Sequence, residues 1–166
     1  MKPKKLKALL ENTSFFDKFF YLRQYQDARL SDASSIDHYI TIGIKENRKP
    51  NQLFDPEWYL SNYPDVKEAG INPVIHFLLN GRDEGRLQNA DEKKQYDDVL
   101  SRGEFDAEFY KNQYADLQAL NEKFDLLTHY IRHGQYEGRA IQAQQAAPEI
   151  APEGPDEEPL PPAVAA

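Results

Sequence analysis

The chain has 166 residues, a formal net charge of −8, 12% aromatic residues and no cysteine. That is about one domain's worth of chain, long enough to bury a core without metal or disulfide staples, and the missing cysteine excludes a disulfide framework, a thiolate zinc site and a cysteine nucleophile. Glu149, Glu153, Asp156, Glu157 and Glu158 fall in residues 144–166, which hold no Lys or Arg, so the remaining body is only mildly acidic and lacks the basic face that a nucleic-acid partner requires.

Lys2, Lys4, Lys5 and Lys7 cluster at the start, followed only by Leu9 and Leu10. This is not the apolar core of a signal peptide, and no run approaches a membrane span, so the default expectation is a soluble cytoplasmic protein. The same short amphipathic helix could touch an anionic membrane, and leaderless secretion to the cell surface stays open as an alternative. Lys4 to Asn12 reads as that first helix, and Phe16-Asp17 then opens a unit that occurs three times.

With the copies superposed at Asp17, Asp55 and Asp106, nine columns are identical. They are Phe16/Phe54/Phe105, the Asp itself, Tyr21/Tyr59/Tyr110, Tyr25/Tyr63/Tyr114, Asp27/Asp65/Asp116, His38/His76/His129, Gly43/Gly81/Gly134, Glu46/Glu84/Glu137 and Arg48/Arg86/Arg139. The period of about 38 residues suits a helical repeat array. Two extra residues in the third copy fall between Asp116 and His129, where a turn can absorb them.

Each unit carries two sets of helix signals. Asp55 is a good N-cap, Pro56 suits the first helical position, and Phe54 can staple onto Tyr59, which predicts a helix over about 56–63. Ser34, Asn72 and Asp125 cap a second helix whose apolar residues (Ile36, Tyr39, Ile40; Val74, Phe77, Leu78; Leu127, Tyr130, Ile131) keep i, i+3, i+4 spacing. Gly43, Gly81 and Gly134 are expected to stop it as left-handed residues, and Asn47, Gly85 and Gly138 to form a second left-handed position. Residues 90–103 read as a spacer helix ending at Gly103. Leu10 and Val99 both lie seven residues ahead of an opening Asp, so the N-terminal and spacer helices occupy corresponding places.

The expected organisation is all-α, three helix-turn-helix hairpin repeats plus two extra helices: a basic helix (1–14), repeat 1 (15–52), repeat 2 (53–89), the spacer helix (90–103), repeat 3 (104–143) and an acidic, proline-rich tail (144–166). The tail holds six of the eleven prolines and no aromatic residue, a composition expected to be disordered.

The second copy, Phe54-Asp55-Pro56-Glu57-Trp58-Tyr59-Leu60-Ser61-Asn62-Tyr63-Pro64-Asp65-Val66 with Ala69-Gly70, Pro73, His76-Phe77, Gly81 and Glu84-Gly85-Arg86, resembles a short bacterial repeat. That repeat recurs beside glycosyltransferase domains for surface polysaccharide and in large secreted, haemolysin-like surface proteins. The resemblance covers roughly residues 15–140. Copy one departs from it at Gln26-Asp27-Ala28, and copy three at Ala115-Asp116-Leu117 and its insertion. It implies an accessory helical module in a bacterial envelope context, with no catalytic residue to carry over.

His38, His76 and His129 invite a metal triad. Equivalent residues of stacked helices are displaced by about 8–10 Å, whereas zinc ligands converge within about 2.1 Å of one ion. The expectation is instead a structural histidine bonded within each unit, to Asp27, Asp65 or Asp116 at the end of the first helix. His129 and His133 are four apart on a helix, but Tyr130 stands where a metalloprotease glutamate would be. Asp97-Asp98 lacks the strand-rich fold in which a carboxylate pair would bind a sugar nucleotide, and no phosphate loop, nucleophile elbow or EF-hand loop is present.

No enzyme and no cofactor are expected. The leading reading is a non-catalytic module that binds a protein partner, with Trp58, Arg48, Arg86 and Arg139 as its candidate surface. The first alternative is a carbohydrate-binding surface module, since aromatic residues can stack on sugars. The second is an accessory or regulatory module of a separate glycosyltransferase.

Overall fold

The computed structural model describes residues 2–120 and 124–143. Among these residues there are only helices, turns and loops, in the all-α arrangement expected. The expectation of a disordered tail at 144–166 lies outside the described residues, as does most of the insertion in repeat 3.

Helix α1 (Pro3–Asn12) precedes repeat 1, which consists of α2 (Lys18–Gln24), α3 (Gln26–Leu30) and α4 (Ser35–His38). Repeat 2 follows with α5 (Pro56–Asn62), α6 (Pro64–Glu68) and α7 (Pro73–His76). The spacer is α8 (Ala90–Arg102), and repeat 3 contains α9 (Ala107–Gln113), α10 (Ala115–Gln118) and α11 (Leu126–His129). Each unit is thus three short helices rather than a two-helix hairpin. The middle helix arises because Tyr25, Tyr63 and Tyr114 leave the helical region (φ −120°, −123° and −118°) and the chain re-enters it one residue later. Pro64 at the first position of α6 enforces this in repeat 2, since a residue before proline avoids the helical region.

The capping signals are met. Asp17, Asp55 and Asp106 accept from the backbone N–H of Phe20, Trp58 and Phe109 at 2.9, 3.0 and 2.9 Å. Ser34, Asn72 and Asp125 do the same for Asp37, Val74 and Thr128. Each such oxygen satisfies a donor that the helix itself cannot, worth about 1 kcal/mol. The staple is equally regular, with ring centroids 5.3 Å apart for Phe16–Tyr21, Phe54–Tyr59 and Phe105–Tyr110.

Gly43, Gly81 and Gly134 correct the expectation made for them. They are not left-handed. Each ends a π-helical turn (Tyr39–Gly43, Phe77–Gly81 and Tyr130–Gly134) that continues the capped helix, with i to i+5 bonds such as Ile44 N–H to Tyr39 C=O at 2.8 Å. The glycine is required by close approach: a Cβ on Gly43 would lie 2.7 Å from the Tyr21 hydroxyl, and on Gly81 or Gly134 it would meet the hydroxyl of Tyr59 or Tyr110. In each unit the left-handed residue comes one turn later, at Asn47 (φ 50°), Gly85 (φ 68°) and Gly138 (φ 68°).

Leu6 and Leu10 of α1, Phe15, Tyr21, Tyr39, Phe54, Tyr59, Val66, Val74 and Phe77 form one buried core under repeats 1 and 2. Phe15 joins the two, 5.4 Å from Phe54 and 5.6 Å from Phe77. Repeat 3 has its own smaller core of Tyr110, Leu117 and Ile141, flanked by Phe105, Leu126 and Tyr130. The helices α1 and α8 do correspond in place: α1 packs on the π turn of repeat 1 and α8 on that of repeat 3. Lys7 of α1 pairs with Asp37 at 2.8 Å, while Tyr96, its counterpart in α8, donates to Asp125 at 3.2 Å. No helix among the described residues is long and apolar enough to cross a membrane.

Candidate functional site: a polar clamp in triplicate

The recurrent polar residues converge on one side of each unit. The end of the capped helix presents His38, His76 or His129, and its ring Nδ1 meets the hydroxyl of Tyr21, Tyr59 or Tyr110 at 3.1, 3.0 and 3.1 Å. The histidine's bonded partner is therefore the tyrosine of the first helix and not the aspartate that the sequence suggested. Only in repeat 1 does the aspartate come near, with Asp27 Oδ2 3.5 Å from His38 Nε2. A proton on Nε2 faces that carboxylate and leaves Nδ1 to accept from the phenol.

Asp27, Asp65 and Asp116 lie in the first turn of the middle helix, not at the end of the first, and each faces an arginine. Arg48 donates to both oxygens of Asp27 at 2.9 and 2.8 Å, Arg86 to those of Asp65 at 2.9 and 2.7 Å, and Arg139 to those of Asp116 at 3.1 and 2.9 Å. The remaining Nε–H goes to Glu46, Glu84 or Glu137 at 2.7, 2.6 and 2.6 Å. The guanidinium plane lies over Tyr25, Tyr63 or Tyr114, 4.7, 4.8 and 4.6 Å from the centroid. The hydroxyl of that same tyrosine accepts the backbone N–H of Lys49, Leu87 or Ala140, which ties the residue after the arginine back to the first helix. Planarity, a forked donor set and permanent charge make arginine, rather than lysine, fit this position.

The electrostatics follow from these contacts. The arginine bond holds the carboxyls of Asp27, Asp65 and Asp116 below the usual range and raises the three arginines. Burial pushes the Tyr21 and Tyr110 phenols up to about 12 and raises Tyr59 as well. Burial also lowers His76 and His129. At neutral pH the unit holds a neutral phenol, a neutral imidazole in repeats 2 and 3, and a fixed ion triad. Such a set has no activated nucleophile and no poised acid.

Arg48, Arg86 and Arg139, considered above as surface contacts, have 14, 19 and 16% of their side chains exposed and all three nitrogens of each guanidinium engaged within the unit. Trp58 on α5 is half-buried, its ring edge-on to Tyr63 at 6.3 Å and 84°. Asp97 and Asp98 pair separately with Lys93 and Lys94 along α8. The rings of His129 and His133 lie 5.3 Å apart, and among the described residues no group of three His, Asp or Glu side chains could hold a metal.

Sequence reasoning missed the role of both tyrosine columns, although their invariance across the copies was the available signal. It also missed Arg132, which stands where the other copies have Thr41 and Leu79. Arg132 reaches the buried Glu92 of α8 at 2.5 Å, donates to the Arg86 carbonyl at 2.7 Å, and lies 5.4 Å over Phe77. It thereby bolts repeat 3 to repeat 2 and the spacer. Comparison with family models, curated proteins and solved structures returns no match.

Proposed function

We propose that the chain is a non-catalytic helical-repeat module that binds a protein partner through apolar side chains on the outer faces of repeats 1 and 2. The observation that carries this reading is that the recurrent residues are consumed by folding, whereas several non-recurrent large apolar ones lie outside. Phe19 is 80% exposed where the other copies have Glu57 and Glu108, and Leu30 is 76% exposed where they have Glu68 and Ala119. Leu79 is exposed where they have Thr41 and Arg132. The repeat folds with polar or small residues at these positions, so the large apolar choice is not a folding requirement; a contact surface is the physical alternative. The bacterial envelope context, and service to a separate glycosyltransferase, rest on the resemblance of the second copy alone.

Immobilised wild-type chain and a Phe19→Ser/Leu30→Ser variant, exposed to lysate of the source cells, test this with quantitative mass spectrometry. The expected result is a protein enriched on the wild type and reduced about tenfold or more on the variant, since loss of about 1.4 kcal/mol has that effect. An identical captured set on both would refute it. A carbohydrate-binding reading is supported by the exposed part of Trp58. Saturable binding to a polysaccharide panel, abolished by Trp58→Ala, would favour that reading instead.

A further inference from the structure

Repeat 1 differs from its two copies on one outer face, in charge as well as in apolar character. Lys18, Phe19, Arg23, Arg29 and Leu30 of α2 and α3 stand where repeat 2 has Pro56, Glu57, Ser61, Lys67 and Glu68, and where repeat 3 has Ala107, Glu108, Asn112, Gln118 and Ala119. All five are exposed. Phe19 and Arg23 are four apart on α2 and share a side of that helix. The fold brings position 29 beside position 23 across the break between the helices: in repeat 3, Gln118 donates its side-chain amide to the Asn112 carbonyl at 3.1 Å, and these are the counterparts of Arg29 and Arg23. Leu30 follows Arg29 at the end of α3.

Among the described residues the side chains of Lys18, Arg23 and Arg29 make no ion pair or hydrogen bond, unlike Lys7, Arg48 and Lys49 of the same region. The nearby carboxylates are mostly committed: Asp17 caps α2 and Asp27 holds Arg48, which leaves Asp32. Three unpaired cations therefore frame two protruding apolar side chains. Repeats 2 and 3 fold with Ser61 and Asn112 in place of Arg23 and with carboxylates in place of Phe19, so neither the charge nor the apolar bulk is needed here for folding.

We infer that this face of repeat 1 binds an acidic amphipathic segment of a partner protein, whose apolar side chains meet Phe19 and Leu30 and whose carboxylates meet Lys18, Arg23 and Arg29. Phe19 and Leu30 belong to the partner surface proposed above, on which this inference rests; the cations supply the chemistry of the partner. Other occupants fit less well. Two copies joined through this face would set arginine against arginine. A nucleic acid tracking along the array would meet Glu57, Glu68 and Glu108. A bilayer needs an apolar face to insert, and α1, which carries Lys4, Lys5 and Lys7, has spent Leu6 and Leu10 on the core.

Fluorescence anisotropy with two labelled synthetic helices tests this on the full chain. Both are about five turns long with leucine and phenylalanine along one face; the rest of the surface is glutamate in one and lysine in the other. The wild type is expected to bind the glutamate helix at least about tenfold more tightly than its lysine twin, and less tightly as salt rises from about 50 to 300 mM. Arg23→Glu/Arg29→Glu is expected to reverse that preference, and Phe19→Ser/Leu30→Ser to weaken binding of both helices. All four positions are exposed, and circular dichroism checks that the variants fold. A wild type that binds neither helix, or binds both equally, overturns the inference, as does a preference that survives Arg23→Glu/Arg29→Glu. Loss of binding in Phe19→Ser/Leu30→Ser alone then leaves the apolar partner surface standing, whereas no effect of either variant removes both. Sedimentation with vesicles of phosphatidylserine and phosphatidylcholine in the absence of glutamate-helix binding assigns the face to lipid and overturns the inference. Self-association abolished by Phe19→Ser/Leu30→Ser assigns it to a second copy and does the same.

Discussion

Replacing Gly81 by alanine separates close packing from a capping role at the end of repeat 2. An added Cβ meets the Tyr59 hydroxyl and lies 3.3 Å from the Phe77 ring and 3.4 Å from His76 Nδ1. Tyr59 is fully buried and has rings on three sides, Tyr63 at 4.6 Å, Phe54 at 5.3 Å and Phe77 at 6.0 Å, so it has nowhere to retreat. Overpacking of this kind costs about 1–3 kcal/mol, and forcing apart the Tyr59–His76 bond leaves buried polar atoms unpaired at about 1–3 kcal/mol more. Against this, alanine gains about 1 kcal/mol over glycine in a helix. The net is a destabilisation of about 3 kcal/mol, which for a chain of this size lowers Tm by roughly 6–12 °C. Thermal unfolding followed by circular dichroism measures it, and a double-mutant cycle with Tyr59→Phe identifies the cause. Removing the hydroxyl frees the space, so Gly81→Ala should cost at least about 1 kcal/mol less in the Tyr59→Phe background. A left-handed glycine would also resist alanine, but its penalty would not depend on Tyr59. A Gly81→Ala variant as stable as the wild type, or a cycle without coupling, would refute the close-packing account.

The paired aspartates and buried histidines make stability pH-dependent with one sign. Because burial lowers His76 and His129 from about 6.5, their contribution is complete above that value and declines as pH falls through it toward the folded-state values. Tm should therefore drop between pH 7.5 and 5.5, and His76→Gln should flatten the profile; a Tm that rises over this interval contradicts the assignment. Asp27, Asp65 and Asp116, held low by their arginines, keep their contribution above about 3.9 and lose it only in stronger acid, so Arg86→Gln should move the onset of acid unfolding to higher pH. Arg132→Ala leaves the carboxylate of Glu92, which is 7% exposed, without its cation and should cost roughly 3 kcal/mol. Hydrogen exchange should then show residues 104–143 loosening ahead of repeats 1 and 2, and uniform protection across all three units would argue against separate cores. Trp58→Phe restores the residue type of the other two copies and should shift Tm by less than about 2 °C, since the repeat already accommodates a phenylalanine at this half-buried position in Phe20 and Phe109.

The residues that the repeat fixes locally were readable from the chain itself. Caps at Asp17, Asp55, Asp106, Ser34, Asn72 and Asp125 act within three residues, the Phe54–Tyr59 staple spans one helical turn, and Gly85 and Gly138 answer to their own backbone angles. Each is a short-range effect, so the string of residue types carries it whole. Triplication added the knowledge that His76, Asp65, Glu84 and Arg86 belong together. Who bonds to whom was decided by tertiary packing. The Tyr59 hydroxyl reaches His76, and Arg86 reaches Asp65, across separations of 17 and 21 residues, so the pairing depends on how the helices cross and not on spacing along either one. The same packing turned Gly43, Gly81 and Gly134 from supposed helix stops into contact points beneath a tyrosine. It also brought the lone Arg132 onto Glu92.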